Sequence, residues 1–290
     1  MHPFDQDISL TPIFSNLDSP NPASSDSDLP SQFKSVVSDN WSVNGIPDGG
    51  YLMAMITRAM WHRCRKKSTP ILTANFISRS APGHATIQVE PIIQSAGFDR
   101  LEGRLSQGGQ EKVRMFGTFA GEKTDCTADR IEKSPPAMAP FEECIRIPKM
   151  PNYSIFHNMD TRLDPTCAGW MLGQNLSKTS EIKGWIQFEA ARPLDVFSIV
   201  LMADAFPPAV LPSHGMVAWV PTLEFSVNIR NIPDTSRIKC IFRTHFISCG
   251  LLEEDGELWD ESGRIIAVSR QFARFRKNAP EISGDTKTTP

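Results

Sequence analysis

No stretch of this chain approaches the roughly 20 consecutive apolar residues that a membrane-crossing helix requires, so no span across a bilayer is expected. The opening Met1-His2-Pro3-Phe4-Asp5 lacks the basic-then-apolar order of a secretion signal. The closing Lys287-Thr288-Thr289-Pro290 matches no peroxisomal or prenylation signal. The formal charge is only −3, without the basic excess that nucleic-acid binding uses. From these absences a cytoplasmic protein with no nucleic-acid partner is expected.

Cysteine patterning is also missing. Cys64, Cys126, Cys144, Cys167, Cys240 and Cys249 form no C-x-x-C and no zinc-finger spacing. They read as reduced thiols. His245 lies between Cys240 and Cys249, but a strand with scattered small side chains accounts for it without a metal. There is no G-x-S-x-G elbow, no P-loop and no G-x-G-x-x-G. Ser213-His214 reads as part of a turn, because a catalytic Ser–His pair is made by fold geometry and not by adjacency. No metal and no cofactor is expected.

What is present is length and repetition. The 290 residues, 40% of them hydrophobic, suffice for one large domain or two modules of about 120 residues. Residues 1–30 are rich in Ser, Asp, Pro and Asn and poor in periodic apolar residues, and 277–290 read the same way, which predicts mobile arms. Residues 123–153, with Ser134-Pro135-Pro136, read as a linker. That leaves one module at 31–122 and a second at 154–276. Each holds an apolar helical run followed by consecutive strand-like segments. The helical runs begin at Gly49-Gly50 and span about 193–206. Thr73-x-x-Phe76 matches Thr222-x-x-Phe225, Gly103-Arg104-Leu105 matches Gly256-Glu257-Leu258, and Phe119 matches Phe272. A long helix followed by antiparallel strands is an α+β unit with the sheet wrapped around the helix. Two such units can share one sheet.

The second helical run contains an anomaly. Phe197, Val200, Leu201 and Asp204 fall on one helical face, so an acid continues an apolar stripe. Burial would raise its pKa towards the range a general base needs. A purely structural carboxylate remains the alternative. Asp195, near the start of the run, reads as a helix-dipole partner. In the next strand Leu223, Phe225, Val227 and Ile229 share one face, while Thr222, Glu224, Ser226, Asn228 and Arg230 share the other. That polar face meets solvent, or Thr222 points towards Asp204. Gln271, between Arg270 and Phe272, reads as a solvent-facing amide on periodicity alone. Asp48-Gly49-Gly50 before a helix offers a tight turn, free N–H groups for a carbonyl oxygen, or both.

These segments line up with a known family. Trp41, Pro47-Asp48-Gly49-Gly50-Tyr51-Leu52, Thr73 to Gly83, and Gln107-Gly108-Gly109 with Phe116 to Phe119 resemble the first half of thioesterase-like double-hotdog proteins, the relatives of acyl-CoA thioesterase II. Ala203-Asp204, Leu211 to His214, Pro221 to Glu224 and Gly263 to Gln271 resemble their second half. The resemblance covers about residues 38–120 and 155–276. It implies a double hotdog fold and hydrolysis of an acyl thioester, on CoA or on a carrier that holds an acyl or polyketide chain. It implies Asp204, Thr222 and Gln271 as the groups that activate water, without a covalent intermediate, and backbone N–H groups such as those of Gly49 and Gly50 as oxyanion donors. Glu224-Phe225 stands where relatives carry Asp-His, and Phe272-Ala273 where they often carry Glu-Gly. Two other readings stay open. One is a hotdog dehydratase, hydratase or cyclase, although Ala209 occupies the position five after Asp204 and His245 is the nearest strand histidine. The other is a non-catalytic binder of a hydrophobic chain. Assembly into a homo-oligomer also stays open.

Overall fold

The computed structural model describes residues 1–14, 29–121, 130–217 and 220–276. The first half runs α1 (Pro3–Asp7), β1 (Thr11–Ile13), β2 (Gln32–Val37), β3 (Ser42–Val43), β4 (Ile46–Pro47), α2 (Gly49–Arg63), β5 (Ser68–Phe76), β6 (Gly83–Gln94), β7 (Phe98–Gln107) and β8 (Gln110–Ala120). The second runs β9 (Ile145–Arg146), α3 (Ile155–Asn158), β10 (Met159–Leu163), β11 (Ser180–Phe188), α4 (Val196–Met202), α5 (Leu211–His214), β12 (Thr222–Ile229), β13 (Arg237–Thr244), β14 (Ile247–Ser248), β15 (Leu251–Trp259) and β16 (Ile265–Arg274).

α2 starts because Asp48 caps it, its side chain accepting the Tyr51 N–H at 3.0 Å. His62 and Arg63 close it with basic groups suited to a helix C-terminus. Residues Gly50 to Thr57 are all buried, so this helix has no solvated face in its first two turns. α4 is capped reciprocally by Asp195 and Ser198, and all seven of its residues are buried. The two helices pack against each other inside the sheet.

The sheet has fourteen strands, in the order β1-β2-β6-β7-β8-β5-β12-β16-β15-β13-β11-β10-β9, with β14 beside β15. Its centre is the antiparallel seam between β5 and β12, where Thr73 faces Ser226 and their hydroxyls lie 3.0 Å apart. Outward from that seam, β5-β8-β7-β6-β2 mirrors β12-β16-β15-β13-β11. This is the expected double hotdog: two modules, each a sheet around a helix, fused edge to edge. Gly103 and Gly256 fall on the equivalent strands β7 and β15. The match of Phe119 with Phe272 is off in register, because Phe119 is buried whereas Phe272 is 46% exposed. One residue of slip exchanges the faces of a strand.

Three expectations change. Residues 1–14 are not a mobile arm: Phe4 and Ile8 are fully buried, and the Phe4 ring packs on Trp41 and Phe188. Arg192 fastens this segment by pairing with Asp5 at 2.7 Å. Composition missed it because two apolar side chains suffice to anchor a short segment. Residues 15–28 and 277–290 lie outside the described residues. Nor is 123–153 linker throughout. Residues 122–129 lie outside the described residues, but Phe141 packs on Trp185 and β9 pairs with β10. The helical run at 193–206 shortens to Val196–Met202.

Candidate active site

Asp204 does not lie on a helix. It follows α4 in a turn whose Asp204 N–H reaches the Leu201 carbonyl at 3.1 Å. The helical face read from Phe197 to Asp204 therefore ends early, although the acid still points inward. Its Oδ2 accepts the Gly50 N–H at 2.8 Å. The glycines make this approach possible. A Cβ on Gly49 would lie 2.7 Å from Asp204 Oδ2, and one on Gly50 would lie 2.8 Å from the Val200 carbonyl oxygen and 2.9 Å from Asp204 Cβ. The Asp-Gly-Gly turn thus provides a helix N-terminus bare enough to touch the end of the other helix.

This geometry alters the expected part of Gly49 and Gly50. Their N–H groups face the Asp204 carboxylate instead of standing free for an oxyanion. Burial pushes the Asp204 carboxyl up to about 6, against the downward pull of the Gly50 and Gly49 N–H groups. Asp48 is pushed well above its ordinary range by burial and then by the neighbouring Asp204 charge. Two close acids that share one helix terminus cannot both ionise easily.

Thr222 reaches the interior by an irregularity of its strand. Thr222 pairs with Ala273 while Glu224 pairs with Phe272, so Leu223 is an extra residue in β12. In a regular strand Thr222 would share the outer face with Glu224. The bulge turns it to the face of buried Ala273 and leaves Leu223 39% exposed. Its hydroxyl donates to Gln271 Oε1 at 2.7 Å. Gln271 is not a solvent-facing amide. It is 7% exposed, on the buried face of β16 with Ser269 and Ala273.

The structure adds a residue that sequence reasoning missed. Gln271 Nε2 donates to Glu254 Oε1 at 2.7 Å, and Glu254 Oε2 accepts the Ala209 N–H at 2.6 Å. Glu254 is buried, and that burial pushes its carboxyl up to about 7, with the Asp204 charge adding to the rise. No periodicity marks it, since Leu252, Glu253 and Glu254 are all buried in succession. The site thus has two parts. One is Asp204 on the α2 N-terminus; the other is the chain Thr222–Gln271–Glu254–Ala209. Among the described residues they meet through charge, not through a direct hydrogen bond.

The other candidates lie elsewhere. His245 is exposed, and its backbone N–H donates to Glu253 at 2.8 Å. Cys240 is buried and Cys249 exposed, and no group of His, Cys, Asp and Glu among the described residues could hold a metal. Ser213 and His214 form part of α5; the Ser213 hydroxyl lies 2.8 Å from His214 Nδ1 and 2.6 Å from the Ser180 hydroxyl of β11. No helix among the described residues is long and apolar enough to cross a membrane.

Two hotdog modules around facing helices define the class of the protein. Comparison with known proteins makes it particular. The acyl-CoA thioesterase N-terminal domain matches residues 37–120, and the acyl-CoA thioesterase C-terminal domain matches residues 132–275. The chain belongs to this family of tandem acyl-CoA thioesterases, and it is a thioesterase. A Thermobifida fusca protein described as a thioesterase II shares the fold at 21% identity, with a TM-score of 0.82 and coverage of 95% of this chain and 98% of that one. A hot dog fold protein from Alicyclobacillus acidocaldarius follows at 19% identity and 0.80, covering 96% and 100%. The acyl-CoA thioesterase II TesB2 of Mycobacterium marinum is similar at 14% identity and 0.70, covering 95% and 99%. A search of curated proteins finds no match to the sequence.

Proposed function

We propose that this thioesterase hydrolyses its substrate directly, with Asp204 as the general base. The observation that carries this reading is the Asp204 carboxylate, half-buried against the α2 N-terminus and held by Gly50 N–H at 2.8 Å, with its pKa pushed up to about 6 by desolvation. A base of that strength is ionised at neutral pH and can still take a proton in the transition state.

Water would lose one proton to Asp204 while its oxygen attacks the thioester carbonyl carbon. The tetrahedral intermediate then breaks its C–S bond, and the departing thiolate takes the proton. The products are a carboxylic acid and a free thiol. Thr222 and Gln271 orient the water. The α2 N-terminus favours the negative charge on Asp204. The reaction uses no metal and no covalent intermediate.

The acyl group is carried on CoA, as the matched family domains favour, or on a carrier protein. A thiol-release screen over acyl-CoAs of different length and polarity, with carrier-bound acyl and polyketide thioesters beside them, tests this. Free thiol is expected from at least one substrate, and Asp204→Asn is expected to lower the rate by about 10²–10⁴-fold. An unchanged rate in that variant rules out Asp204 as the base. Binding of an acyl chain with no product from any thioester would favour the non-catalytic binder instead.

A further inference from the structure

Glu254 is a buried acid that family resemblance did not supply and that direct hydrolysis does not itself require. Its two oxygens are both committed, one to the Ala209 N–H and one to Gln271 Nε2. An ionised carboxylate has only acceptors, so the Gln271 amide must turn its nitrogen to Glu254 and its oxygen to Thr222. The Thr222 proton is then spent on Gln271 Oε1, at 2.7 Å. What Thr222 Oγ1 has left for a water is lone pairs.

We propose that Glu254 is a positioning residue that sets the direction of this chain, so that Thr222 accepts one proton of the attacking water and leaves the other for Asp204. The inference rests on the reading of Asp204 as the base. The Ala209 N–H anchors one end, because a backbone donor cannot reverse its polarity. In E254Q the new amide would have to give its oxygen to Ala209 and its nitrogen to Gln271. Gln271 would then flip, its Nε2 would donate to Thr222, and the Thr222 proton would turn towards the water. There it engages the lone pair that must attack. Protonated Glu254 permits the same flip. The acids that press on its charge are Asp204, from the turn after α4, and Glu253 beside it on β15. The Glu253 carboxylate is itself held by the His245 and Phe246 N–H groups.

An exchange of residues separates this role from mere packing. In E254Q/Q271E the amide and the carboxylate trade places. The amide on β15 gives its oxygen to Ala209 and its nitrogen to the carboxylate on β16, which still accepts from Thr222. The direction is restored. The experiment measures kcat and KM for decanoyl-CoA against pH in the full chain, with D204N, E254Q and E254Q/Q271E. It also follows the side-chain NH₂ signals of Gln271 by ¹⁵N NMR in the parent and in E254Q. E254Q is expected to lower kcat by about tenfold or more with KM little changed. The exchange is expected to recover much of that loss. The Gln271 proton donated to Glu254 is expected to shift as pH passes through about 7 and to lose that shift in E254Q. Loss of activity in D204N with E254Q unaffected and the NH₂ signals unmoved overturns the Glu254 inference alone. Full activity in D204N overturns the base assignment, and this inference with it. If decanoyl-CoA is not cleaved, the NMR titration decides by itself: signals indifferent to pH and to E254Q overturn the proposal.

Discussion

Gly50 and Asp204, 154 residues apart in the chain, are joined by one hydrogen bond, the Gly50 N–H donating to Asp204 Oδ2 at 2.8 Å. It ties the first module's helix to the second module's acid, so neither module holds the site alone. Gly50→Ala would place a methyl group 2.8 Å from the Val200 carbonyl oxygen and force the helices apart. The expected cost is about 1–3 kcal/mol of stability, with turnover reduced as Asp204 loses its donor. Urea unfolding and thiol release measure the two effects. Unchanged stability would show that the helices have slack here.

Asp204 also ties stability to pH. Its folded pKa is raised from 3.8 to about 6, so the folded chain keeps a proton that the unfolded chain sheds earlier. The contribution of such a group is greatest below the unfolded value and falls as pH rises towards the folded one. Asp204→Asn removes that fall. Its stability relative to the parent should therefore rise between pH 4 and pH 6 and then level off. Urea titrations at pH 4, 6 and 8 read this directly, and a constant difference would contradict the raised pKa. The activity of the parent should fall as pH drops through about 7 and then about 6, where Glu254 and the base in turn take up their protons.

Thr222 acts through its hydroxyl, which donates to Gln271 Oε1. Thr222→Val keeps the shape and leaves that buried acceptor unpaired, at a cost of about 1–3 kcal/mol. If the loss falls on the transition state, turnover drops by about 10–100-fold. Thr222→Ser keeps the hydroxyl and should stay within a few-fold of the parent. Equal loss in both variants would assign the residue to packing. Thiol-release kinetics on the two variants make the comparison.

The first fourteen residues belong to the folded unit. Phe4 is fully buried among Trp41 and Phe188, so Phe4→Ala should cost about 3–5 kcal/mol. Urea denaturation measures it. A loss below about 1 kcal/mol would return this segment to the status of a loose arm.

Much of this protein is written in local sequence. The alternation from Glu224 to Arg230, the existence of the two helical runs and the paired glycines of β7 and β15 are features of local sequence, and periodicity and repetition report them. The repeat then predicts two modules, and the family resemblance singles out Asp204, Thr222 and Gln271. Tertiary structure decided how these residues are used. The bulge at Leu223 turns Thr222 inward, although strict alternation puts it outside. Glu254 becomes a partner of Gln271 only because β15 lies beside β16 and the turn after α4 brings Ala209 over both. Gly49 and Gly50 hold an acid instead of standing free because α4 ends against α2. Each of these depends on contacts across a long loop of chain, whose partners are set by which faces pack, and no local period carries that information.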